Sequence, residues 1–331
     1  MSFLNKQINK NKVFIIAEAG STHNRSLSTA KKLIDVAASS GANAVKFQSF
    51  FSEEISTKKN INFYKQFELP TKFYKEILRH CKKRKIIFLT TPFGFKSFNM
   101  IKDMVPLYKI ASPEINYYEL IDEVIKKNKP IIFSTGCSDE KEIVQLVNHL
   151  KKNKFKKFAL LHCGSSYPLA PENVNLSYIT RLKKMFKNIP IGYSDHTTGI
   201  SASIGAVSLG AKIIEKHFTI SKKDKNPDSF FSLEPNELKE MIKHIREIEK
   251  SLGYPNKVLN KSIISKRRAG MRSYYAKKNH KKGSKLKDNM FIALRPYEKN
   301  SLPINKIKDF YGKKLEKKIN ISQVLTLKHF K

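Results

Sequence analysis

The sequence predicts an α/β protein, a (β/α)8 TIM barrel followed by a small and strongly basic C-terminal domain. Three observations predict it. Short apolar runs alternate with stretches of helical periodicity eight times over about 240 residues, the size and order of such a barrel. Polar residues able to do chemistry recur at the ends of those runs, the face where such barrels carry their sites. A doubly wound open sheet is the alternative, and it would normally place a Gly-rich phosphate loop after the first strand. Glu18-Ala-Gly-Ser-Thr-His-Asn-Arg25 lacks one.

The runs at 13–18, 43–48, 86–89, 106–110, 130–134, 157–162, 189–192 and 212–216 are rich in Val, Ile, Leu and Phe and bounded by polar turns. Buried parallel strands have that composition. Helical periodicity follows at 28–40, 71–83, 96–104, 118–128, 138–151, 175–187, 199–210 and 234–250. The pattern breaks at 251–265 (Ser-Leu-Gly-Tyr-Pro-Asn-Lys and onward), read as a linker. The barrel is therefore expected over 1–250 and the second domain over 266–331.

With 331 residues, 40% of them apolar, the chain can bury a large core. No apolar run approaches the roughly 18 residues that span a bilayer, and residues 1–12 show no apolar targeting segment. Cys81, Cys137 and Cys163 form no pattern and read as reduced thiols of a cytoplasmic protein without membrane association. The formal net charge is +36, half of it in 251–331, which holds 22 Lys+Arg against 4 Asp+Glu. A basic tail can bind nucleic acid through phosphates. Here the lysines are scattered through amphipathic segments without a nucleic-acid motif, and the abundance of Lys, Asn and Ile reads as compositional bias. No nucleic-acid partner is expected.

Two histidines carry the chemistry. Ile-Gly-Tyr-Ser-Asp-His (191–196) and Ala-Lys-Ile-Ile-Glu-Lys-His-Phe (211–218) are strand ends joined by the helix at 199–210. A parallel βαβ unit puts both C-termini on one face. His196 and His217 then stand side by side, each with an adjoining acid, Asp195 and Glu215. Such a set suits a divalent metal. The bland alternative is two unrelated loop histidines. Glu18, Lys46, Gln48, Thr91, Lys109, Ser112, Glu114, Ser134 and Tyr167 fall at or just after the other strand ends. A Lys or Glu buried there is costly unless paired or bound to ligand. A snorkelling surface lysine is the alternative for Lys46 and Lys109, and the recurrence on several strands weakens it.

Eight segments in order resemble the sialic acid synthase family: Ile-Ala-Glu-Ala-Gly-Ser-Thr-His-Asn (16–24), Ala-Val-Lys-Phe-Gln-Ser-Phe (44–50), Thr-Thr-Pro-Phe (90–93), Tyr-Lys-Ile-Ala-Ser-Pro-Glu (108–114), Ile-Ile-Phe-Ser-Thr-Gly (131–136), Leu-Leu-His-Cys-Gly-Ser-Ser-Tyr-Pro (160–168), Tyr-Ser-Asp-His-Thr (193–197) and Ile-Glu-Lys-His-Phe-Thr (214–219). More loosely, 266–331 is similar to the antifreeze-like (SAF) domain that follows the barrel in these synthases, through Arg272-Ser-Tyr-Tyr-Ala-Lys-Lys278, Lys281-Lys-Gly283, Ala293-Leu-Arg-Pro296 and Tyr311-Gly-Lys-Lys314. Met290 and Phe291 stand where a Leu-rich turn is more usual.

The resemblance implies condensation of phosphoenolpyruvate with an open-chain, N-acylated mannosamine-like sugar, releasing phosphate and a nine-carbon 2-keto acid. A legionaminic or pseudaminic acid synthase acting on a diacetamido-trideoxy hexose is the neighbouring reading. A basic barrel-scaffold binding protein is the distant one. Under the favoured reading His196 and His217 hold a divalent ion, Mn²⁺ first with Mg²⁺ or Co²⁺ as alternatives, that polarises the aldehyde. Lys46 and Lys109 supply charge to phosphoenolpyruvate, and Thr91, Ser112, Ser134 and Gly136 supply hydrogen bonds. Glu114, then Glu18, handles the proton of the captured water. Asp228 lies beside the metal-bound water and the sugar, with a turn aspartate as its alternative reading. Tyr167 and Gln48 contact the sugar, and Arg295 reaches the partner subunit's sugar in a domain-swapped homodimer. Thr22, Arg25, Pro113, the Gly164-Ser-Ser turn and a short 51–70 loop depart from the usual pattern, and these departures are expected on the sugar side.

Overall fold

The computed structural model describes residues 12–253 and 256–330, and the chain divides into two compact units after Gly253. Residues 1–11 and 254–255, which include most of the N-terminal stretch and part of the expected linker, lie outside the described residues.

In the first unit every expected strand and helix is present. The order is β1 (Phe14–Gly20), α1 (Leu27–Ser40), β2 (Ala44–Ser49), α2 (Ser52–Ile55), α3 (Ile61–Lys65), α4 (Tyr74–Arg84), β3 (Ile87–Pro92), α5 (Phe95–Ile101), β4 (Tyr108–Ile110), α6 (Tyr118–Lys126), β5 (Ile131–Ser134), α7 (Glu140–Lys152), β6 (Phe158–Cys163), α8 (Ser177–Met185), β7 (Ile191–Asp195), α9 (Ser201–Ser208), β8 (Ile213–His217) and α10 (Pro235–Leu252). Local chemistry sets the ends. Ser26 caps α1 by accepting from the Thr29 amide, and Asp139 and Glu142 form a reciprocal capping box on α7. The two short helices α2 and α3 were not anticipated, because four and five residues are too few to show a period.

All eight strands run parallel in the order β3-β2-β1-β8-β7-β6-β5-β4. β3 and β4 pack side by side but share no ladder among the described residues, so the barrel is nearly closed. Among the described residues no helix is long and apolar enough to cross a membrane.

Period-two alternation divides each strand between two cores. Outward residues such as Ile15, Ala17, Val45, Phe47, Tyr108, Phe133, Leu160 and Ile214 pack under the helices. Inward residues Phe14, Ile16, Ala44, Leu89, Leu107, Ile132, Ala159, Leu161 and Ile213 plug the barrel interior. The next inward step on nearly every strand is polar: Glu18, Lys46, Thr91, Lys109, Ser134, Ser194 and Glu215. The site floor therefore rests on an apolar plug.

The second unit contains α11 (Lys261–Gly270) and an antiparallel pair, β9 (Ser273–Ala276) with β10 (Phe291–Leu294). Residues 261–265, expected in the linker, instead form the first turn of α11. Asn260 caps it by accepting from the Ile263 amide at 2.9 Å. Met290 and Phe291 belong to this unit's core with Ala276, Leu286 and Leu302.

Gly192 is the one inward β7 residue at the level of the plug. A Cβ there would sit 2.5 Å from both the Ile213 carbonyl oxygen and a Leu161 methyl. Gly192→Ala is expected to lower stability by about 1–3 kcal/mol, read as a reduced denaturant midpoint with an unchanged m-value.

Candidate active site

The polar inward residues converge at the C-terminal end of the barrel and line a cavity of about 450 Å³. Glu18, Lys46, Gln48, Lys109, Ser112, Ser134, Tyr167, His196, His217 and Asp228 all line it, together with Cys163, Ser194 and Glu215. Strand register brings them together, since Glu18 is paired with Lys46 on one side and His217 on the other.

Its floor is a buried cluster of four charges. Lys46 is ion-paired in contact with Glu18 and lies 3.7 Å from Glu215, while Lys109 lies 3.8 Å from Glu215. Lys109 also donates to Ser134 Oγ at 2.7 Å, and Ser194 donates to Glu215 Oε1 at 3.0 Å. Burial works against the Lys46 ammonium, but Glu18 and Glu215 outweigh it and hold its pKa above the ordinary lysine value. Burial pulls Lys109 below that value, with Glu215 opposing and Lys46 adding to the fall. Burial also disfavours the Glu215 carboxylate, yet Lys109 and Lys46 overcome this and keep it ionised. Glu18 goes the other way, raised by burial that Lys46 only partly offsets.

The two imidazole centroids are 5.5 Å apart. His196 donates from Nδ1 to the Gly164 carbonyl at 2.6 Å, which leaves Nε2 with its lone pair. His217 Nδ1 is buried without a hydrogen-bond partner. Burial lowers both pKa values, so both rings are neutral at neutral pH. Two neutral rings with free ring nitrogens fit a divalent cation that completes its shell with water. Among the described residues no group of three His, Cys, Asp or Glu is arranged to hold a metal. Asp228 is stationed nearby, accepting from the Ser21 amide at 2.9 Å and its hydroxyl at 2.7 Å. Gly20, at φ +51°, makes this possible, because a Cβ there would lie 2.5 Å from Asp228 Oδ2.

Not every expected residue reaches the cavity lining. Asp195 does not adjoin the histidine pair. Being one residue out of phase with Ser194 and His196, it faces the helices, where it accepts from Thr197 and Ser203 and pairs with buried Lys216 at 3.1 Å. Glu114 is outside the cavity lining, in the turn after β4, with burial raising its pKa to about 7 against the pull of Lys109. Thr91 is also outside the lining, supporting Lys46 at 3.3 Å, and the Gly136 amide donates to Ser112 Oγ at 2.9 Å. Thr22 is outside the lining, its hydroxyl donating to the Ala19 carbonyl at 2.7 Å. Arg25 donates to the Lys65 carbonyl, Pro113 lines the cavity, and Gly164 orients His196. Arg295 belongs to the second unit, where it lines a separate surface recess with Tyr275, Ile292 and Ile321.

Sequence reasoning noticed Glu215 but missed its place in the charge cluster, and it missed Ser21, Ser194 and the aromatic residues of 50–67. The available signal was alternation: Glu215 is two residues from His217, and Lys46 two from Gln48, so each pair shares a face.

A sequence model of the NeuB family matches residues 33–257, more than half of the chain. The chain belongs to the NeuB family. It is similar to the N,N'-diacetyllegionaminic acid synthase of Campylobacter jejuni, 40% identical over 91% of this chain and 95% of that protein. It is also similar to the human N-acetylneuraminate-9-phosphate synthase, 34% identical over 76% of this chain and 78% of that one. Among solved structures, the N-acetylneuraminic acid (sialic acid) synthetase of Leptospira borgpetersenii in complex with citrate superposes with a TM-score of 0.73. It is 38% identical, over 77% of this chain and 90% of that one. The charge cluster and histidine pair are thus features of a NeuB-family barrel.

The Asp195–Lys216 pair ties the two histidine-bearing strand ends from behind. Lys216→Met, which strands a buried carboxylate, should cost about 3–5 kcal/mol in chemical denaturation. Adding Asp195→Asn to it should recover part of that loss, and a fully additive double variant would show the pair to be uncoupled.

Proposed function

We propose that the chain is a phosphoenolpyruvate-dependent nonulosonic acid synthase, condensing phosphoenolpyruvate with an N-acylated mannosamine-like aldehyde. The observation that carries it is the pairing, in one cavity, of a two-lysine floor with two neutral imidazoles, His196 with its Nε2 lone pair left over and His217 with an unpartnered Nδ1. Phosphoenolpyruvate carries close to three negative charges. Lys46 and Lys109, held in place beside Glu18 and Glu215, meet its phosphate and carboxylate, with Ser112 and Ser134 as hydrogen-bonding partners. Thr91 and Gly136 act one step back, on Lys46 and Ser112.

Carbon 3 of phosphoenolpyruvate bonds to the aldehyde carbon as the carbonyl π pair moves to its oxygen, which takes a proton, and the positive charge left at carbon 2 captures water, which gives one up. Loss of inorganic phosphate from that adduct gives the 2-keto acid. Of the two carboxyls able to take the water's proton, Glu18 is on the cavity wall and Glu114 is outside its lining, so position favours Glu18. His196 and His217 would hold the divalent ion, which supplies Lewis-acid polarisation of an oxygen when bound. Asp228, fixed by Ser21, hydrogen-bonds the sugar or an ordered water beside the histidines. Gln48 and Tyr167 border the sugar's side. Mn²⁺ as the ion, an antifreeze-like second unit, Arg295 acting in trans within a domain-swapped homodimer, and a cytoplasmic location belong to the same reading. The stronger and longer match to the Campylobacter diacetyllegionaminic acid synthase favours, as second reading, an acceptor bearing two acylamino groups.

Phosphate release from phosphoenolpyruvate, dependent on both an acceptor sugar and a divalent ion, tests this function. His196→Ala and His217→Ala should each lower turnover at least 100-fold and weaken Mn²⁺ binding in calorimetry. Full turnover after exhaustive chelation would reject the metal site.

Glu114 gives a pH signature. Its carboxyl titrates near 7 in the folded chain against 4.5 unfolded. Between those values the folded state holds a proton that the unfolded state has released, so stability from this group falls as pH rises through the window. Glu114→Gln should therefore gain Tm relative to the parent as pH rises from 4.5 to above 7. A constant difference would place Glu114 in water. Comparing the two proteins isolates Glu114 from Glu18, whose pKa is raised as well.

A further inference from the structure

Resting on that reading, we propose that Asn226 is a positioning residue of the synthase. Its side-chain amide locks the connection from β8 to α10 onto the loop after β1, and the lock sets the Asp228 carboxylate beside the histidine pair. Residues 218–234 make up that connection and contain no helix or strand of their own. So long a stretch holds a side chain in place only where it is tied down. Its base is tied by the backbone, the Leu233 amide donating to the His217 carbonyl at 3.0 Å and the Thr219 amide to the Leu233 carbonyl at 2.9 Å. Its tip, which carries Asp228, is tied by Asn226.

Asn226 is only 8% exposed and uses every hydrogen-bonding group it has. Its Nδ2 donates to the Ser21 carbonyl at 2.8 Å and to Asn24 Oδ1 at 3.0 Å. Its Oδ1 accepts from the Asp228 amide at 3.0 Å and lies 2.8 Å from the Ser21 hydroxyl. Its backbone amide donates to the Asp224 carbonyl at 2.8 Å, and its carbonyl accepts from the Ser229 amide at 3.0 Å. Two acceptors at one end of the side-chain amide and a backbone donor at the other leave a single orientation for the group. One amide thus bridges two loops that meet because β1 and β8 are neighbours.

The consequence falls on Asp228. Among the described residues, the hydrogen bonds its carboxylate accepts, from the Ser21 amide and hydroxyl, both fall on Oδ2. Its Oδ1 keeps its lone pairs for the cavity that Asp228 lines. Both Ser21 donors sit on the residue whose carbonyl Asn226 holds. Removing the amide frees the two loops to drift apart, and a misplacement of about 1 Å is enough to cost a large factor in rate. An asparagine that only shaped its own turn would bond the Asp228 amide and nothing more. The two donors to the opposite loop go beyond that role.

The test measures phosphate release at saturating phosphoenolpyruvate and Mn²⁺, with N-acetylmannosamine and its diacetamido-trideoxy counterpart each tried as acceptor. Asn226→Asp is isosteric but turns the donor end into an oxygen facing two acceptors. It and Asn226→Ala should each lower kcat roughly 10- to 100-fold while moving the KM of phosphoenolpyruvate by less than about twofold. In the Asp228→Ala background, Asn226→Ala should cost less than about twofold more, because both act through one carboxylate. Hydrogen exchange in the protein without metal or substrate should rise in residues 20–25 as well as in 221–232. The Tm against the parent identifies a variant that fails to fold, and the isosteric one then carries the kinetic comparison. Parental kcat in a folded variant, a fully additive double variant, or faster exchange confined to 221–232 would each overturn the inference and leave the synthase reading standing. Parental turnover in Asp228→Ala would overturn it together with the role given to Asp228. No phosphate release from the parent with either acceptor would overturn the synthase reading as well.

Discussion

The rest of this structure depends on the burial of Glu18, Lys46, Lys109 and Glu215 at the level where the barrel's apolar plug ends. Each alone would be unsustainable there, since an unpaired buried charge costs several kcal/mol or gives up its ionisation. Together they are near neutral, and Glu215 lies within 4 Å of both lysines. Such a cluster adds little net stability. Its value is electrostatic preorganisation: two lysine amines are held buried and fixed beside carboxylates at the cavity floor. The surrounding hydroxyls of Thr91, Ser134 and Ser194 complete their hydrogen bonds from three different strands. Only a closed ring of parallel strands brings those side chains to one point.

That constraint explains why so much was legible in the sequence. A parallel strand covered on both faces reads as a short apolar run, so a polar residue at its end stands out. Glu18, Lys46, Lys109, Ser134, His196 and His217 stood out for that reason. All six line one cavity, although no two of them are closer than 21 positions in sequence. The strands and helices were legible because each run has the length and period of its element.

What was not legible has physical causes of its own. Asp195 and Lys216 are as polar and as buried as their neighbours, yet they face the helices. Deciding the face required the phase of each strand, which a four- or five-residue run does not fix once both faces are apolar. Glu114 follows a strand end but sits in a 3-10 turn that carries it out of the cavity lining, and strand logic does not extend into a turn. Ile55, Phe63 and Tyr64 line the cavity from α2 and α3, and no sequence signal marked them because those helices are too short to show a period.

The histidine pair shows how far the backbone itself takes part in the site. The Gly164 carbonyl fixes the His196 tautomer, and a side chain on Gly164 would collide with Leu169 at 2.5 Å. A side chain on Gly20 would likewise press on Asp228 and on the His217 ring. Two glycines, one ending β1 and one following β6, thus let a carboxylate approach one imidazole and a carbonyl approach the other. Behind them, Lys216 donates to the Thr197 carbonyl at 2.6 Å while Asp195 accepts from the Thr197 amide at 2.9 Å, holding the chain on both sides of His196. The ring nitrogens left free are therefore the product of a fully satisfied outer layer. Residues behind the cavity lining decide whether the two imidazoles can face each other.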